Sequence, residues 1–232
     1  MNWTVPQIWK GGSCVILGGG SSIVKQFNIP NDIVQGVCEK RLLPSSYSPF
    51  MESIHNRHVL GVNMSYKLGN WVDVLFFGDE GFIEKSNKDL FLFPGLRVSC
   101  METKIEYPSL KIIKRDHKKW GLSFNPSTIC WNLNSGGAAI NLAVLLGVKQ
   151  IILLGYDMNL GEKNNQHWHN YYGSNLKTVK ATMSMHMRCF PKIAEDALGK
   201  VEILNANPES AIQSFPKVNL RDVLCNIPLY FC

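Results

Sequence analysis

Cys14-Val15-Ile16-Leu17-Gly18-Gly19-Gly20-Ser21-Ser22, written CVILGGGSS, is the stretch whose reading decides the fold. A short apolar run that ends in glycines has the length and residue types of a buried parallel strand, and the serines after it are good helix caps. Strand, glycine turn and helix start follow one another as in a βα unit. Further apolar runs end in Gly, Asn or Asp at 59–62, 72–77 and 151–154, with weaker strands at 96–101, 110–114 and 201–204. Helical patterns alternate with them. Residues 138–146 are apolar almost all round and stop at Gly147, a C′ glycine. Leu176, Val179, Met183, Phe190, Ile193 and Ala197 recur at helical steps, with a break expected at Pro191. The pattern predicts an α/β fold: a single Rossmann-like domain over 1–232, with a mostly parallel sheet and helices on both faces. An irregular loop or lid is expected at about 28–56, and a C-terminal tail from about 217.

Composition bounds the function. A chain that is 45% hydrophobic and 18% charged folds as a globule rather than staying disordered. It contains no run of eighteen apolar residues, and its first ten residues lack the order of a signal peptide. The seven cysteines are odd in number and scattered without a CxxC pair, which predicts reduced thiols in a cytoplasmic protein. The sequons at Asn2 and Asn63 are then idle. A net charge of +6 suits an anionic ligand. The basic residues are dispersed, and the one cluster, Lys111 to Lys119, reads as a solvated face, so nucleic acid is not indicated. A homo-oligomer is compatible with all of this.

Ligands of such sheets bind outside the carboxyl ends of the strands. The residues expected there are Gly18 to Ser22, Asn63, Gly78-Asp79-Glu80 and Gly155-Tyr156-Asp157. A P-loop would need Gly and Lys where Ile23 and Val24 stand, and a dinucleotide fingerprint would need a glycine at Ile23 and an acid where the second strand ends in Asn63. What remains is general: glycines let backbone approach a ligand, and the N–H groups of a helix start attract an anion. Asn134-Ser135-Gly136-Gly137 repeats that combination before the second core helix. Two such starts are expected to grip one nucleotide through Gly18, Gly19, Gly20, Ser21, Ser22, Asn63, Asp79, Asn134, Ser135, Gly136, Gly137 and Tyr156.

Beyond Asp157 lies Gln166-His167-Trp168-His169-Asn170-Tyr171-Tyr172. An imidazole with a pKa near ~6.5 accepts a hydroxyl proton at neutral pH. His167, His169 and Asp157 are the candidate catalytic residues. The HxH spacing also suits zinc, but no third ligand stands at a usual distance, so no metal site is assigned. Asp79 and Asp157 offer carboxylates for Mg²⁺ in an ATP-dependent reaction, or cap nearby backbone.

The segments GGGSS, GVNMSYKLG, VDVLFFGDEGF, NSGGAAINLAVLLGVKQIILLGYDM and ILNANPESAIQSFP, in this order between Gly12 and Pro216, resemble a family of MptE-like 6-hydroxymethylpterin diphosphokinases and Maf-type flagellin glycosyltransferases. More distantly, the order of loops is similar to that of bacterial lipooligosaccharide sialyltransferases. Where the family has Gly-Pro-Ser in the first loop, Ser21 replaces the proline. The resemblance implies a glycosyltransferase that takes a sugar from a nucleotide-sugar donor, CMP-sugar-like, to an acceptor hydroxyl not identified by sequence. Gly19, Gly20, Ser21, Asn63, Ser135, Gly136 and Gly137 would hold the donor, with His167 or His169 as base and no cofactor required. It equally implies an alternative, a Mg²⁺-dependent diphosphokinase acting on a pterin-like alcohol with ATP. A non-catalytic nucleotide-binding module is the third expectation.

Overall fold

The structure, a computed structural model, describes residues 3–86, 88–103, 105–161, 165–172 and 176–225, with the side chains of 176–179 left aside. Its strands are β1 (Ser13–Leu17), β2 (His58–Val62), β3 (Val74–Phe77), β4 (Leu96–Ser99), β5 (Leu110–Ile112), β6 (Lys114–Asp116), β7 (Thr128–Cys130), β8 (Gln150–Leu154) and β9 (Glu202–Asn205). Its α-helices are α1 (Ser22–Gln26), α2 (Asn31–Cys38), α3 (Gly81–Lys85), α4 (Ser135–Leu145), α5 (Leu176–Met187), α6 (Phe190–Ala197) and α7 (Leu220–Cys225). Seven strands form one sheet in the order β5-β4-β3-β2-β1-β8-β9, and all its pairings are parallel. The chain winds outward from β1 to β5, then returns to lay β8 on the other side of β1. This reversal opens a crevice at the carboxyl ends of β1 and β8, where a sheet of this kind binds its ligand.

Successive strand residues point to opposite faces, and both faces are covered. Cys14, Ile16, Leu60, Val74, Phe76, Ile151 and Leu153 pack into one core layer with α4 and α6. Val15, Leu17, Val59, Leu75, Phe77, Ile152 and Leu154 pack into the other, with Ile23, Phe82 and Leu224. Helix α4 is buried over most of its length from Gly137 on, as its sequence requires, and truncating its Leu142 to Ala costs about 2–5 kcal/mol. The fold is α/β and Rossmann-like. No helix of the described residues is long and apolar enough to cross a membrane.

Three local readings change, and the break expected at Pro191 is present. The 110–114 run divides into β5 and β6, and β6 pairs with β7 in a separate two-stranded sheet. The 72–77 strand starts only at Val74, because the Asp73 carboxylate takes the Val59 N–H at 2.7 Å. The helical pattern around Pro191 is two helices, with the proline in the first turn of α6, where its missing N–H costs nothing. Residues 28–56 are ordered: they hold α2 and a 3₁₀ helix, Pro44–Ile54, whose Tyr47, Met51 and Ile54 are fully buried. Those side chains belong to the second core layer.

Candidate functional site

A cleft of about 260 Å³ lies at the β1/β8 crevice. Of the sequence candidates, Gly18, Gly19, Gly20, Asn63, Asp79, Asn134, Ser135, Gly136, Tyr156, Asp157, His167 and His169 line it. Ser21, Ser22 and Gly137 do not. Ser21 turns its Oγ toward Gly161, and Gly137 packs on Cys189 and Asn132 beneath the cleft.

The glycine run is closed against its own chain. A Cβ on Gly20 would lie 2.5 Å from the Asp157 carboxylate and 2.6 Å from the Gly155 carbonyl; one on Gly19 would lie 2.8 Å from His167 Nδ1. Asp157 is 4% exposed and accepts from Ser22 N–H at 2.9 Å, from the Ser22 hydroxyl and from Asn207 Nδ2 at 2.8 Å. Burial pushes its carboxyl up, while these donors hold it down. The start of α1 is therefore capped internally, by a carboxylate 135 residues further along the chain.

The start of α4 is different. Asn134 caps it, accepting the Gly136 N–H at 2.8 Å, and Tyr156 donates its hydroxyl to the Gly136 carbonyl at 3.0 Å. Ser135 and Gly136 face the cleft with no carboxylate seated on them among the described residues. Across from them Asp79 is exposed, and no hydrogen bond or ion pair among the described residues engages its carboxylate.

The histidine loop docks on the first turn. Gly20 and His167 form an antiparallel bridge, Trp168 N–H donates to the Gly19 carbonyl at 3.1 Å, and Trp168 Nε1 to the Gly18 carbonyl at 3.3 Å. Trp168 is buried in the second core layer, with Tyr47 donating to its carbonyl. The flanking histidines stack on one another, ring centroids 5.1 Å apart. Their neighbours set opposite tautomers. His167 Nδ1 lies 3.1 Å from the Gly19 carbonyl, which only accepts, so Nδ1 carries the proton and Nε2 keeps its lone pair. His169 Nδ1 accepts the Tyr171 N–H at 3.2 Å, so its neutral ring carries the proton on Nε2. Burial, then the His167 ring and Lys67, push His169 down to about 3. Burial also lowers His167, but its bond to Gly19 opposes that and survives protonation.

The cleft also gathers residues the sequence reading missed. Leu133, Met158, Met183, His186 and Trp131 line it. Arg115 stacks on the Trp131 ring at 4.0 Å and donates to the Cys100 and Gly78 carbonyls, fixing the indole beside the end of β3. One sequence signal pointed here: Trp-Asn-Leu-Asn ahead of the Ser-Gly-Gly helix start, since Asn tolerates left-handed backbone. Asn132 and Leu133 both adopt it, as do Asn63 after β2 and Met158 after β8.

No family model matches the sequence, and no curated protein matches it. Among solved structures, the chain is similar to a Maf glycosyltransferase from Magnetospirillum magneticum AMB-1, with a TM-score of 0.59 and 8% identity. The likeness is one of fold. It covers 99% of this chain and 37% of that one, so the chain spans little more than a third of that protein's length.

Proposed function

We propose that this chain is a transferase that moves a sugar from a nucleotide-sugar donor, CMP-sugar-like, to an acceptor hydroxyl, with His167 as general base. The observation that carries the reading is the tautomer. His167 is a cleft-lining imidazole whose Nδ1–H is held by a carbonyl, and Nε2 can take a proton without breaking any bond it makes. His169 would have to give up the Tyr171 N–H to do the same, so it acts as a neutral Nε2–H donor.

In the transfer, the acceptor O–H proton passes to His167 Nε2 as its oxygen bonds to the anomeric carbon. The bond from that carbon to the donor phosphate breaks, and the phosphate leaves with the electron pair. The growing negative charge is met at the α4 start, by the helix dipole and the Ser135 hydroxyl. The shared fold with a named glycosyltransferase supports the reaction class.

The test is a pair of variants assayed with a panel of nucleotide sugars. His167→Ala is expected to lower turnover by ~10²- to 10⁴-fold with donor affinity little changed. Wild-type activity rises with pH as His167 becomes neutral, and because burial lowers its pKa the rise comes below ~6.5. Full turnover in His167→Ala would remove the base from the mechanism. The free Asp79 carboxylate favours a second reading, Mg²⁺-dependent pyrophosphoryl transfer from ATP to a pterin-like alcohol. Thermal stabilisation by ATP only when Mg²⁺ is added selects that reading; stabilisation by CMP or UMP without metal selects the first. Nucleotide binding without turnover of any donor identifies a binding module.

A further inference from the structure

Leu133 is a large apolar residue that is 42% exposed, and its backbone is left-handed at φ +50. That conformation is disfavoured for any residue with a Cβ, and glycine adopts it freely. The preceding Asn132, at φ +59, is clamped in place: its Oδ1 accepts the Gly121 N–H at 2.8 Å and its Nδ2 donates to the Gly121 carbonyl at 3.0 Å. The turn thus holds a hydrophobic side chain out of the core, at the mouth of the cleft. Met158, after β8, is also left-handed at φ +50 and lines the cleft, although part of its side chain packs on the first core layer, and Met183 of α5 lines the cleft as well. Core packing does not explain the exposed, left-handed Leu133, and a second left-handed apolar residue from a separate strand end lines the same cleft. Strain of this kind persists where surrounding structure over-determines it, and it gathers at ligand sites.

We infer that Leu133, Met158 and Met183 form the ring-binding end of the cleft, where they take the planar heterocycle of a nucleotide. The inference rests on the nucleotide reading above and names what that reading leaves open, the part of the cleft that holds the base. Leu133 stands two residues before Ser135, the first residue of α4, so their Cα atoms are at most about 8 Å apart. A phosphate at the helix start and a ring on Leu133 are then within the span of one nucleoside monophosphate. Thioethers suit the role, because methionine sulfur is polarisable and adapts to the edge of an aromatic ring.

The experiment measures binding of CMP, UMP, AMP and GMP, and of ribose 5-phosphate, which carries the phosphate and no ring. The proteins are the wild type, Leu133→Gly and Leu133→Asn. Both substitutions fit the left-handed backbone, and Asn keeps a side chain there without adding glycine's freedom. Melting temperatures are expected to stay the same or rise. Affinity for the mononucleotides should fall roughly tenfold, the loss expected when one partly buried leucine contact is withdrawn, while ribose 5-phosphate binding stays unchanged. Nucleotide affinity that is unchanged in both variants overturns the assignment, as does equal weakening of ribose 5-phosphate. A fall in melting temperature in both variants overturns it too, since Leu133 would then be serving the fold. A wild-type protein that binds none of the four nucleotides defeats the nucleotide reading itself, and this subsite with it.

Discussion

Two helix starts with nearly the same spelling, Gly-Gly-Ser-Ser at α1 and Asn-Ser-Gly-Gly at α4, end in opposite states. At α1 the Ser22 N–H and hydroxyl are taken by Asp157, and the glycines let β8's loop press against β1's. At α4 a neutral Asn134 covers one N–H and the turn stays open to the cleft. Glycine beside a helix start therefore reports close approach of something, and the approaching group can be the protein's own carboxylate. A helix cap made by a charged side chain leaves little for an incoming anion; one made by an amide leaves the dipole unanswered.

That contrast can be broken by mutation. The largest effect is expected at Gly20→Val, where the new side chain meets Asp157 and the Gly155 backbone: a loss of more than about 4 kcal/mol in stability, read by chemical denaturation. A folded Gly20→Val protein that only loses nucleotide would put a ligand back at α1. Asp157→Ala strands the Ser22 N–H, its hydroxyl and the Asn207 amide, and should cost about 2–4 kcal/mol with nucleotide affinity in the surviving folded fraction little altered.

Acid probes the loop docked on the α1 side. His169 is held neutral in the fold, with a folded pKa below its unfolded value, so its stabilisation is complete above about 6.5 and is lost as pH falls toward about 3. Unfolding free energy should drop by about 1.4 kcal/mol per pH unit for this group across that window, and His169→Gln should flatten the slope by that amount. An unchanged slope would mean the ring is charged in the fold. The smallest effect belongs to α4: Asn134→Ala removes one cap, for about 1 kcal/mol, and should weaken nucleotide binding as well as stability. Lost stability with intact binding would make the two starts alike after all.

Much of this architecture was legible in residue order. The runs around Ile16, Leu60 and Leu153 are apolar on both faces, which only a doubly covered parallel strand demands, and the loops after them fall at one edge by topology alone. The histidines were placed over that edge because they follow the Gly155-Tyr156-Asp157 strand end. What stayed hidden depends on distance in space. Nothing local announces that Ser22 and Asp157 pair, and β7, three residues long, is too short to show a period. Met183 reads as a member of an amphipathic helix and His186 carries no signal of its own, and only the position of α5 brings them to the cleft. Leu133 reads as a residue of no interest until its backbone angle is known.

Trp168 separates two cleft-lining histidines, one half-buried and one buried, while its own indole is sealed between Tyr47 and the Gly18 carbonyl. Its amide proton, bonded to Gly19, is thus tied to the turn that leaves the central strand β1 although it belongs to a distant loop. Releasing that proton to solvent requires lifting an indole out of the core. In a hydrogen-exchange experiment the Trp168 amide should consequently keep pace with the slow amides of the central strands, and not with those of the neighbouring surface.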